Sequence, residues 1–312
     1  MKKRKNSKIQ KTKKLFILIF VFFLLLPITF FAIKYLPKLK KIYLINKEYL
    51  KIDKNLLKDF KIEKDTIFDS GEYHFRNFII KSGKITVKEE SKGYLIIKAA
   101  ETIVIDSNSS IDLTGKGHLG LTPKEKENYE NAGINFDFAG GGGTHGGKGG
   151  SGGCGLKNYK KEYGYQNIDI SFGEGGGIGT KISDGRGGNG GGYIKLVAPK
   201  IIINGKLIAN GQAGEKTGGG GAGGKIVLIS KEIQLNGEIL AKGGTGGTYQ
   251  FQGAGGGGGG VIISNQELDN SKINISGGEA GKAIDYYSGC NGEAGYEGKI
   301  LFLNNFFKIS IL

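Results

Sequence analysis

Ile201-Ile202-Ile203-Asn204-Gly205-Lys206-Leu207-Ile208-Ala209-Asn210-Gly211 recurs 32 residues later as Ile233-Gln234-Leu235-Asn236-Gly237-Glu238-Ile239-Leu240-Ala241-Lys242-Gly243. Ile201/Ile233, Ile203/Leu235, Leu207/Ile239 and Ala209/Ala241 keep their apolar class, and Asn-Gly returns at the same place in each copy. Apolar residues alternate with polar ones at period two, as side chains do on the two faces of a strand. A Gly run precedes the opening strand of each unit: Gly191-Gly192 before Tyr193, Gly223-Gly224 before Lys225, Gly259-Gly260 before Val261, Gly298 before Lys299. Strand, Asn-Gly turn, strand and Gly loop in one order every 30–40 residues mark a solenoid.

Two or three short strands per unit cannot make a stable sheet alone. Stacked at about 4.8 Å, they pair backbone with backbone and Ile with Ile. The fold expected is therefore all-β: a right-handed parallel β-helix (solenoid) with glycine-rich loops, about eight coils and about 40 Å long. A β-propeller, with four strands per blade, is the rival. Asn-Gly and Gly-rich corners are expected to supply the positive φ of sharp bends. The Gly runs themselves are either loose loops or extended polyglycine chains packed side by side.

Composition agrees with a repeat array. The 312 residues hold 58 Gly and 4 Pro, and the Gly falls in runs, which excludes collagen with its Gly at every third position and its abundant Pro. A hydrophobic content of 38 % argues against a disordered chain. No Gly occurs before Gly71. The chain divides into a basic tail (1–14), a membrane span (15–36), a stalk or capping segment (37–65) and a glycine-rich ectodomain (66–312).

The span rests on 19 apolar residues, 15–33, long enough at 1.5 Å each to cross a bilayer core of about 30 Å. The run is too long for a signal peptide, and no small-residue cleavage site follows it. Eight Lys or Arg lie before it and four close behind, which places the N-terminus in the cytoplasm and the ectodomain outside. Of the 44 basic residues, 12 precede residue 42, where there is no acid, so the remaining 32 face all 29 acids. The basic excess belongs to the membrane end, and nucleic acid is not an expected partner.

The stretch 140–150, Gly-Gly-Gly-Gly-Thr144-His145-Gly-Gly-Lys148-Gly-Gly, with Tyr163-Gly164 and 173–177 after it, resembles the glycine-rich repeat proteins of bacterial cell surfaces. The likeness spans 66–304. It implies a right-handed parallel β-helix and an exported location, and it carries no catalytic or binding residues across.

Familiar chemistry is sparse. Gly142-x4-Gly147-Lys148 begins like a phosphate loop but continues with Gly149 where Ser or Thr would hold magnesium. Calcium-binding nonapeptides need Asp in each turn, and these turns have Gly, Ala or Thr. No cofactor or metal is expected. His145, flanked by glycines, is read chiefly as a lock for its loop and secondarily as a ligand contact. Tyr159, Tyr163 and Tyr165 join it as candidate ligand-binding residues, since aromatic rings stack on sugars; Tyr286 and Tyr287 lie in a later insertion. Asp137, Asp169, Glu174 and Asp184, around the insertion 122–190, are the carboxylates a glycosidase or lyase would need. They form no recognisable pair. The expected function is structural or adhesive at a membrane, touching polysaccharide, with a carbohydrate-active β-helix enzyme as the alternative. Cys154 and Cys290 lie 136 positions apart, which in a stacked repeat puts them several rungs apart and disfavours a bridge.

Overall fold

A computed structural model describes residues 58–88, 93–122, 139–153, 161–178, 185–250, 252–284 and 289–303. The membrane span, most of the stalk, Cys154, Tyr159, Tyr286, Tyr287, Asp137 and Asp184 lie outside them. No helix among the described residues is long and apolar enough to cross a membrane.

The two copies of the quoted repeat form β7 (Tyr193–Ile203) with β8 (Lys206–Ile208), and β9 (Lys225–Leu235) with β10 (Glu238–Leu240). β7 lies parallel to β9 and β8 to β10, with Ile201 opposite Ile233, Ile203 opposite Leu235 and Leu207 opposite Ile239. The register is the 32-residue offset of the sequence. Earlier coils contribute β1 (Phe60–Ile62), β2 (Thr66–Phe68), β3 (Gly71–Ile80), β4 (Gly83–Val87), β5 (Tyr94–Ile105) and β6 (Ser109–Asp112). Later ones contribute β11 (Val261–Ser264), β12 (Ile273–Asn274) and β13 (Lys299–Phe302).

Among the described residues the odd-numbered strands build a seven-stranded sheet and the even-numbered strands a six-stranded one, in chain order and parallel throughout. Chain order and spatial order coincide because each coil returns to lie on the one before. Inward residues stack into columns. Leu95, Ile194, Ile226 and Ile262 are wholly buried in one of them, which ends at part-buried Ile300. Like stacked on like puts every methyl group against a neighbour, and burying each such side chain contributes about 1.5–3 kcal/mol. At the N-terminal end Phe60 stacks on Phe75 with ring centroids 4.8 Å apart and meets Phe68 at 6.0 Å. These rings plug the first coil, so the solenoid begins at Phe60, inside the stretch expected to be stalk.

Three expectations need correction. Seven strands at about 4.8 Å make a stack of about 29 Å, shorter than expected, because 115–192 goes sideways into glycine chains and adds no strand to either sheet among the described residues. The corner glycines Gly205 and Gly237 do not have positive φ; among the described residues that conformation occurs at Gly83, Gly93, Gly115 and Gly164. Gly237 is required by space, since a Cβ there would lie 1.8 Å from the Gly205 carbonyl oxygen of the coil beneath. Asn236 Nδ2 donates to Asn204 Oδ1 at 2.9 Å beside it, so the Asn-Gly corners stack as a ladder. Finally, Cys290 is disulfide-bonded, and Cys154 is the chain's only other cysteine. The rung count misled because Gly153 lies against Cys290, where its Cβ would come within 2.1 Å of the Cys290 oxygen.

Candidate functional site

The feature that sets this molecule apart is what its Gly runs build. In 253–260, amides at every third position go to the same neighbour. Gly253, Gly256 and Gly259 donate to Cys290, Glu293 and Tyr296. Ala254, Gly257 and Gly260 donate to Gly247, Gly244 and Ala241, while Gly255 and Gly258 donate to Gly140 and Gly143. That threefold period belongs to an extended polyproline-II-type chain, which has three residues per turn and no hydrogen bonds of its own. The carbonyls of the same segment accept from three further segments: Gly147, Gly150 and Gly153; Gly220 and Gly223; Gly278 and Gly281. One chain thus sits among six others in hexagonal packing.

The bundle has three layers. Segments 209–215, 241–247 and 275–281 carry the chain away from the sheets, and 185–192, 217–224, 253–260 and 290–298 bring it back as the middle layer. Segments 173–178, 140–143 and 147–153 form the third layer, packed on the middle one. The insertion that the sequence offered as a catalytic region is therefore a structural sheet of glycine chains.

Glycine content reports position in the bundle. The crowded chain 253–260 is all Gly apart from Ala254, whereas 290–298 has Gly at 292, 295 and 298 only. A Cβ at those three positions would lie 2.2, 2.0 and 2.0 Å from oxygens of Ala254, Gly257 and Gly260. Every third residue of a threefold chain faces the same way, so an outer chain needs Gly only on its inner edge. In the first layer Gly211 and Gly214 repeat the pattern against Gly221 and Gly218.

His145 sits at the hairpin joining 140–143 to 147–153 and is wholly buried. Its Nδ1 lies 2.8 Å from the Gly223 carbonyl oxygen, which can only accept, so Nδ1 carries the proton. Nε2 then accepts from the Ser171 hydroxyl at 3.2 Å. Gly164, at φ +85°, passes over the ring where a Cβ would come within 2.3 Å of Nε2. The imidazole fastens the ends of three chains. Burial, with the Lys225 charge adding to it, lowers its pKa from 6.5 to about 4, against the favourable carbonyl bond from Gly223. The neighbouring Thr144 amide donates to Glu174 Oε2 at 3.2 Å, and the Gly149 amide to Thr144 Oγ1 at 3.1 Å.

Of the other candidate contacts, Tyr163 comes to His145. Their rings lie 4.9 Å apart, its amide donates to the His145 oxygen at 2.8 Å, and its hydroxyl donates to the Phe172 oxygen at 2.8 Å. Burial and then the Glu174 charge push this phenol well above its usual pKa. Tyr165 stands half-buried on the same loop. Among the carboxylates, Glu174 is buried while Asp169 is exposed and bonded to Asn167, so these two occupy unlike surroundings.

Sequence reasoning missed Lys225 and Tyr193. Lys225, wholly buried, donates to the backbone oxygens of Asn167 and Asp169, each at 2.8 Å, and lies 5.9 Å over the Tyr193 ring. The Tyr193 hydroxyl donates to the Ile168 oxygen at 2.7 Å. A Lys at the register position of Tyr193 and Val261 was the only signal. Replacing Lys225 with Met should raise amide hydrogen exchange in 163–172 about tenfold, while exchange in β5 stays unchanged. Equal protection in both proteins would show that the ammonium does not hold the loop.

Comparison with family models, curated proteins and solved structures found no match for this chain.

Proposed function

We propose that this chain is a membrane-anchored, glycine-rich cell-surface protein with a structural or adhesive role, non-enzymatic, built as a right-handed parallel β-helix. Residues 15–36 form the anchor, the N-terminus is cytoplasmic, and the ectodomain displays its outer loops to polysaccharide. One observation carries the reading: the residues that sequence offered as a site are used up in holding glycine chains together. His145 and the Tyr163 hydroxyl both end on backbone or on Ser171, and 253–260 packs against six neighbours. Such a body resists deformation and presents function only at its surface, where Tyr165 and Tyr296 offer rings for sugar stacking.

The test is a panel of cell-envelope and extracellular polysaccharides incubated with the full chain in detergent micelles, with binding and released reducing ends read together. Saturable binding with no release is the expected result. Release of sugar fragments would overturn the non-enzymatic reading in favour of a lyase or glycosidase, with Asp169 and Glu174 the first substitutions to make. For location, surface biotinylation of intact cells should label the ectodomain lysines, and labelling only after lysis would refute the orientation.

A further inference from the structure

The middle layer of the bundle follows a rule that stops at its last chain. Gly188 donates to Gly219, Gly220 to Gly255 and Gly256 to Glu293; in parallel Gly191 donates to Ala222, Gly223 to Gly258 and Gly259 to Tyr296. Each returning chain hands its hydrogen bonds to the next. The next donors in the series are the amides of Ala294 and Glu297, and among the described residues neither has a partner. Glu293, Ala294, Tyr296 and Glu297 are exposed, Tyr296 by 61 %. Beside them β13 pairs with β11 on one side only. The C-terminal end of the stack is thus an open edge of two kinds at once, a β-strand edge and a threefold glycine-chain edge. Unpaired edges of this sort recruit other chains.

We propose that this end binds the same end of a second copy of the chain, about a two-fold axis. Two arguments select that occupant. A partner must offer a strand and a polyproline-II-type chain side by side, and that pairing of edges is what another copy carries. Charge agrees as well: antiparallel apposition of 290–298 centred on Tyr296 sets Glu293 opposite Lys299 of the second copy, and the symmetry makes the pair twice. The two β1 strands then lie at opposite ends of a rod about 60 Å long, with the segments that precede them leading in opposite directions. This step rests on the surface reading above and gives it a mechanism: copies on facing membranes join end to end.

Ala294→Pro with Glu297→Pro tests it cleanly. Proline removes both donors, yet its φ near −65° suits a polyproline-II-type chain, so the monomer keeps its fold. Light scattering of the full chain in detergent micelles should show a dimer, weakened about tenfold or more by the double proline at an unchanged melting temperature. Glu293→Lys should weaken it too, and adding Lys299→Glu should restore it. Vesicles carrying the wild-type chain should cluster, and vesicles carrying the proline variant should not. A wild-type monomer at all concentrations, or dimers insensitive to these changes, would overturn the proposal. So would a dimer that appears only after removal of 304–312, since the chain's own tail would then be the occupant. Micelle dimerisation does not depend on orientation or on sugar, so its failure is separable from failure of the surface reading.

Discussion

Gly257→Ala should lower the melting temperature of the ectodomain by about 8–16 °C, corresponding to roughly 4 kcal/mol at 2–4 °C per kcal/mol for a domain of this size. The added Cβ would lie 2.0 Å from the Gly221 oxygen, 2.5 Å from the Gly221 carbon and 3.0 Å from the Ala222 nitrogen, all of them backbone. No side chain can turn aside, so a whole glycine chain must move. Moving 253–260 away stretches its bonds to every other neighbour, including Gly257 to Gly244 at 2.9 Å and Gly278 to Gly257 at 2.7 Å. Each buried donor or acceptor left unpaired costs about 1–3 kcal/mol, on top of about 1–3 kcal/mol for overpacking. The control is Ala213→Ser on the exposed side of an outer chain, expected to stay within about 0.5 kcal/mol. Calorimetry of the two variants decides the matter: a Gly257→Ala shift under 2 °C would mean that the bundle yields far more readily than its spacing implies.

Acid should loosen the same body through His145. Folded, the imidazole has a pKa of about 4, because burial removes water from its charged form; unfolded, it returns to 6.5. At pH 7 both states are neutral and the difference contributes nothing. As pH falls below 6.5 the unfolded chain takes up a proton that the folded chain refuses, so stability is lost progressively. The loss is complete below about pH 4 and amounts to about 3 kcal/mol. Protonation would put a second donor toward Ser171, in a site already holding Lys225 and His118 as positive or potentially positive neighbours. His145→Asn keeps a donor for the Gly223 oxygen and cannot titrate. Its stability deficit against wild type should therefore shrink by about 3 kcal/mol between pH 7 and pH 4, with the carboxylates cancelling in the difference. A deficit independent of pH would show that the ring is hydrated in the folded chain.

The coils were legible because their cause is local and periodic. Ile201/Ile233 and Leu207/Ile239 announce inward columns, and the 32-residue offset is itself the strand register. The lock at His145 was legible for a related reason: a lone imidazole among glycines has little but backbone to bond. Its partners were not, since Gly223 and Ser171 lie 78 and 26 residues away and carry no mark in the sequence. Nor was Lys225 as a buried strut, because a Lys on the outer face of a strand reads as solvent-exposed until a loop is laid across it.

By itself the sequence determined the strands, their parallel order, the inward columns and the need for a backbone without side chains in the Gly runs. Each follows from nearest-neighbour preference: apolar alternation selects a strand, and one coil stacks on its copy. Only the tertiary structure decided that the Gly runs would become a three-layer bundle, with 140–143 and 147–153 packed beside 253–260 and Gly153 beside Cys290. Polyglycine carries no side chain to specify a partner. Its chains are sorted by where the coils deliver them, and by the requirement that every buried amide find an oxygen.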